Sequence, residues 1–136
     1  MNGAVASIQR REIDRMKAKI LEVLRERRNS VSGEELARQV GASRASISRH
    51  ILELRRHGYV IESSRRGRRL VSSPDLLLPF EFPGLEHRIH YFPEIGSTMD
   101  AARELARRGE EEGTIVVAEA QTRGRGRLSR EWLSPQ

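Results

Sequence analysis

The sequence predicts an α+β fold in two parts: a helical, strongly basic half closed by a hairpin, followed by the start of an α/β domain. Three observations carry that expectation. Charge divides at Ser72: residues 1–72 hold 17 Lys and Arg against 8 Asp and Glu, net +9, and residues 73–136 hold 8 against 11, net −3, which together give the +6 of the 136-residue chain. Apolar residues recur at helical spacing through the first half. The second half alternates strand-like runs with one helical run. The domain limits expected from this are 1–72 and 85–136, with 73–84 as a linker.

From Arg10 to Arg28 the residues Ile13, Met16, Ile20, Val23 and Leu24 fall at steps of three and four, one apolar stripe on a helix whose other face is charged. Asn29 to Ser32 breaks the pattern. Ser32 stands three positions before Glu35, the capping-box spacing that opens a second helix, and Gly41 closes it, because the left-handed residue just past a helix end favours glycine. Ser43 caps a third helix reaching about His57. Two helices joined by the short turn "GAS" have helix-turn-helix proportions, which makes the third helix the recognition helix.

At 100° per residue, Ile47, Ile51 and Leu54 point inward on that helix, and Ala45, Ser46, Arg49 and Arg56 point outward. Small side chains, a hydroxyl and guanidinium groups suit entry into a major groove, and Arg44 in the first turn reaches a base or a phosphate. After Gly58, the runs Tyr59 to Glu62 and Arg69 to Val71 make a hairpin around a turn rich in Ser, Arg and Gly. A basic hairpin behind a helix-turn-helix is a wing, with Arg65, Arg66, Arg68 and Arg69 expected at its tip against phosphate. A single arginine on a helix face is usually just solvated surface. Here caps, turn spacing, hairpin and local charge agree, and together they point to DNA.

The junction "SSPDLLLPFEFPG" carries three of the five prolines and no clear period, so Leu76 to Leu78 and the phenylalanines are expected to tuck against a neighbouring surface. A strand at Arg88 to Phe92, a helix from Ser97 to Arg108 and a strand at Thr114 to Glu119 follow. Ala101, Ala102 and Leu105 supply the apolar stripe of this helix, and Ser97, Thr98 and Asp100 its polar start. The stretch "QTRGRGRLSREW" leaves two readings open on composition: a basic tail for nucleic acid, or a folded loop. Leu128, Trp132 and Leu133 are apolar anchors that weigh against the tail.

Several function classes are excluded or disfavoured. Without cysteine there is no disulfide, thiolate nucleophile or cysteine-ligated zinc. His50 and His57 lie seven apart with no third ligand at metal spacing, and read as packing or helix-end residues rather than a metal site. No apolar run is long enough to span a bilayer and the N-terminal stretch is charged and helical, so a cytoplasmic protein with no membrane partner is expected.

The run "SGEELARQVGASRASISRHILELRRHGY", then "YFPEIGSTMDAARELA", "GTIVVAEAQTRGRGRLSREW" and "SP", resembles in order and spacing the bifunctional biotin protein ligases that are also biotin operon repressors. The resemblance runs from about Lys19 to Pro135. Its helix-turn-helix part is shared by many regulators, and the pairing of "GSTMDAA" with "AEAQTRGRGR" is far more specific. It implies the N-terminal part of such a protein: a winged helix-turn-helix, then the start of an α/β biotin ligase catalytic domain.

By that resemblance Ser97, Thr98 and Met99 stand at the biotin-contacting helix start, with Met99 where the family has Asn. Gln121 and the loop residues Gly124, Arg125, Gly126, Arg127 and Arg130 stand at the biotin and biotinyl-5'-adenylate loop, with Ser129 where the family has Gly. Glycine allows close backbone approach to a ligand, and arginine stabilises carboxylate and phosphate charge. The implied substrates are biotin and ATP. The implied partners are operator DNA, a biotin carboxyl carrier protein and a second copy on a palindromic operator. The family's catalytic lysine would lie beyond Gln136, so no catalytic residue is assigned, the chain's own standing as an enzyme is open, and no ligase turnover is expected from it alone. The alternative is a stand-alone winged-helix regulator whose second half is a sensing or dimerisation remnant.

Overall fold

A computed structural model describes residues 2–27, 29–126 and 130. These form two compact units that divide between Leu76 and Leu77.

The first unit contains α1 (Asn2–Glu26), α2 (Gly33–Val40), α3 (Arg44–Arg56), β1 (Val60–Ser64) and β2 (Gly67–Ser72). The long helix begins at Asn2, not Arg10, and no capping signal in the sequence marked that earlier start. Its Ile20, Leu21, Val23 and Leu24 meet Leu36 and Val40 of α2 and Ile47, Ile51 and Leu54 of α3 in one core, which Val31, Tyr59 and Ile61 complete. Removing such side chains from water is the main force holding the three helices together. Lys17 is also buried there, at 7 % exposure, and its ammonium meets Glu53 of α3 at 3.1 Å.

Both short helices have the expected caps. Ser32 Oγ accepts from the Glu35 N–H at 3.1 Å. Gly41 is left-handed at φ 74° and donates its N–H to Ala37 O. Ser43 Oγ accepts from the Ser46 N–H at 3.1 Å. β1 and β2 pair antiparallel around the two-residue turn Arg65–Arg66, with Ser64 opposite Gly67. Val31 adds a bridge to Arg68, each backbone N–H donating to the other's carbonyl at 2.8 Å. Tyr59 precedes the strand and is a core residue, 2 % exposed.

The second unit begins with two short 3-10 turns, Pro79–Glu81 and Glu86–Arg88, followed by β3 (Ile89–Ile95), α4 (Thr98–Arg107) and β4 (Ile115–Gln121). The expected linker 73–84 is therefore corrected: its second part belongs to this unit, where Leu78 and Phe80 are buried, although Leu77 stays exposed. β3 and β4 run parallel, Ile89 opposite Ile115 and Ile95 opposite Gln121. A parallel pair needs a crossover, and α4 supplies it. The stripe of Ala101, Ala102 and Leu105 is only partly covered, and no residue of α4 is buried. No helix among the described residues is long and apolar enough to cross a membrane.

Candidate functional site

On α3 the core takes Ile47, Ile51 and Leu54, and the opposite face leaves Arg44, Ala45, Arg49 and Arg56 exposed with Ser46 half-buried beside the cap. At the wing tip Arg65 and Arg66 are exposed. The expectation that Arg68 and Arg69 share that tip is corrected, because the turn is only two residues long. Arg69 lies in β2, paired across the hairpin with Glu62 at 2.9 Å. Arg68 lies at the wing root, where its Nη2 donates to Ser48 Oγ at 2.8 Å. Burial, then the charges of Arg55 and Arg44, pull the pKa of Arg68 below its ordinary value.

Two residues that position this face carried no signal of their own in the sequence. Ser48 donates to Arg44 O at 2.9 Å while accepting from Arg68, so it joins α3 to the wing. Arg55 donates to Ile61 O and to Ser63 Oγ, each at 2.9 Å, and fastens the far end of α3 to β1. The arginines sort themselves by pairing. Arg38, Arg69, Arg88, Arg103, Arg107, Arg108 and Arg125 each meet a carboxylate. Arg44, Arg49, Arg56, Arg65 and Arg66 meet none within ion-pair range among the described residues.

In the second unit the β3–α4 turn and the end of β4 come together. The Thr122 and Arg123 N–H groups donate to Ile95 O at 3.0 Å and Gly96 O at 2.8 Å. Ser97 precedes α4 but its side chain makes no capping bond, which corrects its expected role in starting the helix. Gln121 does that work instead: its Oε1 accepts from the Thr98 N–H at 2.9 Å and from the Thr98 hydroxyl at 3.1 Å. Ser97 itself is buried, at 4 % exposure. Met99 is half exposed, and Gly124 is buried.

Arg125 pairs with Asp100, and the Gly126 N–H donates to Arg130 O at 2.7 Å. Arg123 was not singled out in the sequence. Its guanidinium lies over Gly96, where a Cβ would come within 2.9 Å of Nη2. Arg127 and Ser129 lie outside the described residues.

Residues 17–69, from the middle of α1 into β2, match a family model described as an HTH domain. Over 113 residues, 78 % of this chain, the sequence is 42 % identical to the bifunctional ligase/repressor BirA of Bacillus spizizenii and 41 % identical to that of Bacillus subtilis. It is 37 % identical over 108 residues, 76 % of the chain, to the protein of the same name from Escherichia coli. The chain is thus similar to the N-terminal portion of the bifunctional ligase/repressors. It matches the N-terminal portion and spans about a third of the length of these relatives, 35 % of each Bacillus protein and 33 % of the Escherichia coli one.

The helix-turn-helix and the loop region lie in separate compact units. Ser97, Thr98, Gln121, Gly124 and Arg125 are gathered at one end of the β3–β4 pair, with Met99 on the exposed first turn of α4. On the helix-turn-helix, Arg44 and Arg68 come together beside Gly33 in a cleft that Arg65 also lines, whereas Arg66 stands on the wing tip outside it.

Proposed function

We propose that this chain is the DNA-binding, N-terminal part of a biotin operon repressor and biotin protein ligase. It recognises operator DNA through α3 and the wing. The observation that carries this reading is the unpaired set Arg44, Arg49, Arg56, Arg65 and Arg66 on one helix face and one hairpin tip, in a region of net charge +9. Arginine that meets no carboxylate is available to phosphate or to guanine, and Ala45 and Ser46 leave room at the helix start for base edges. Two copies bind a palindromic operator in this reading, and biotinyl-5'-adenylate favours the paired state.

Ser97, Thr98, Met99, Gln121, Gly124, Arg125, Gly126, Arg127 and Arg130 contribute to the biotin and adenylate site. The donor chemistry supports this. Gln121 has committed its carbonyl oxygen to Thr98, which leaves its amide N–H groups for a ligand, and Arg125, exposed and ion-paired with Asp100, would exchange that partner for a carboxylate or phosphate oxygen of a ligand seated at the loop. Met99 brings no hydrogen-bonding group to that set. ATP and the biotin carboxyl carrier protein are the remaining reactant and partner, and the cytoplasm is the location.

The test is selection of bound duplexes from a randomised pool by the full chain. Enrichment of a two-fold symmetric sequence is expected, with its loss in Arg49→Ala/Arg56→Ala. A pool that binds without any enriched sequence, and equally well to the double variant, refutes the operator reading. Calorimetric titration with biotinyl-5'-adenylate tests the loop: binding weakened by Arg125→Ala is expected, and the absence of any heat rejects the site.

A further inference from the structure

Gly33, the first residue of α2, sits where two arginines converge. A Cβ built on Gly33 would lie 3.2 Å from Arg68 Nη1 and 3.8 Å from Arg44 Nε. Guanidinium groups from the wing root and from the first turn of α3 thus reach the same point, and neither meets a carboxylate among the described residues. Arg65 and Glu34 line the same cleft, and the Glu34 carboxylate meets neither Arg44 nor Arg68 within ion-pair range among the described residues. Holding two like charges together costs free energy unless an anion comes between them. The molecule nonetheless fixes the arrangement: Ser48 anchors Arg68 at Nη2, and the Val31–Arg68 bridge fixes the backbone beneath it.

The first-turn N–H groups of Gly33 and Glu34 add to the positive field. Ser32 Oγ takes only the Glu35 N–H, and the first N–H groups of a helix have no partner within it. A base edge engages one planar guanidinium along two parallel bonds, whereas a tetrahedral phosphate offers oxygens on several sides. Two guanidinium groups meeting at one point therefore suit a phosphate.

We propose that this cleft is a clamp for a single phosphodiester phosphate of DNA, gripped by Arg44 and Arg68 together, with Ser48 as the residue that positions Arg68. The clamp registers recognition helix and wing on the same backbone position. It rests on the DNA-binding reading above and deepens it, because it makes Arg44 and Arg68 one contact instead of two.

The test is the salt dependence of binding between the full chain and a fluorescent mixed-sequence duplex. Each phosphate neutralised contributes roughly 0.9 to the slope of log K against log salt. Arg44→Ala and Arg68→Ala are each expected to lower the slope by about one such unit, and the double variant by no more than either single. Ser48→Ala is expected to weaken binding several-fold with the slope kept, and Ser48→Thr to restore it. A double variant that loses about two units, or single variants with an unchanged slope, overturns the clamp.

Arg44 is exposed and its substitution leaves the core intact; should Arg68→Ala fail to fold, Arg68→Gln, which removes the charge and keeps a polar side chain, takes its place in the same single-against-double comparison. Replacing chloride by inorganic phosphate at equal ionic strength is expected to displace no additional duplex. Displacement that the double variant escapes would make this a free-phosphate site and overturn the proposal. If the wild-type chain binds no duplex, the DNA reading falls and the clamp with it. If binding responds to Arg49→Ala but not to the clamp variants, only the clamp falls.

Discussion

At the scale of single residues the wing root is the most constrained point in the first unit. Gly67 has φ 129°, and a Cβ there would lie 2.1 Å from Val31 O and 2.4 Å from Val31 C. Both atoms are backbone, held by the reciprocal bonds of the Val31–Arg68 bridge, so neither can swing aside. Gly41 also has positive φ, at 74°, but nothing lies within 4 Å of its Cβ position. Gly41→Ala is therefore expected to cost only the left-handed backbone strain, roughly 1–2 kcal/mol. Gly67→Ala should cost well beyond that and detach the wing, read as a larger fall in denaturant midpoint and loss of duplex binding. Equal midpoints for the two variants would contradict this account. The sequence could not distinguish these glycines. Gly41 was legible as a helix stop from its neighbours in the chain, whereas Gly67 depends on Val31, which is distant in sequence. Ser48, Arg55 and Arg123 were missed for the same reason: their roles are set by contacts, not by spacing.

At the scale of elements, α3 depends on its cap and on the polar groups beneath it. Ser43→Ala removes the acceptor for the Ser46 N–H and is expected to lower stability by about 1 kcal/mol, since Ser to Ala at this position typically costs that much. An unchanged melting midpoint would count against it. The caps of α2 and α3 were readable because each signal lies within three residues of its target. The start of α1 and the cap of α4 were not: α1 has no acidic residue in its first turn, and α4 is capped by Gln121, whose Oε1 accepts from the Thr98 N–H 23 positions away.

Beneath α3, His50 is 4 % exposed, and its Nδ1 stands 3.7 Å from Glu53. Burial pushes its pKa below the ordinary value; Glu53 opposes the shift, and Arg49 and Lys17 reinforce it. His57 is lowered as well, first by burial and then by Lys17. A histidine that is harder to protonate when folded stabilises the fold above its unfolded pKa and loses that contribution as pH falls through the folded value. The melting midpoint is thus expected to drop between about pH 7 and about pH 5, and His50→Gln to flatten that drop. Glu53 acts lower still. Burial raises its pKa, but Lys17 outweighs burial and holds the carboxyl below its ordinary value, so its contribution is lost only in the acid range beneath that. A His50→Gln profile parallel to the wild type would remove His50 from this explanation.

At the scale of the whole molecule, charge and pairing separate the two halves. Residues 1–72 carry net +9 and residues 73–136 net −3. This division and the strand–helix–strand order of the second half were legible in composition and periodicity, because burial and charge leave patterns in the chain itself. What Arg125 does was not legible, since it depends on Asp100 across the helix start. The same arginine-rich stretch reads on composition as a tail for nucleic acid, yet Arg125 is ion-paired and Arg123 is packed over Gly96, whereas Arg65 and Arg66 stand unpaired at the wing tip. Duplex binding by the full chain should follow that difference. Arg65→Ala/Arg66→Ala removes two contacts and is expected to lower the salt slope by about two units of roughly 0.9 each. Arg123→Ala/Arg125→Ala removes the same formal charge and should leave the slope unchanged, because neither side chain neutralises a phosphate when DNA binds. Slopes that fall equally in the two double variants would assign the loop to nucleic acid and overturn the division of labour between the halves.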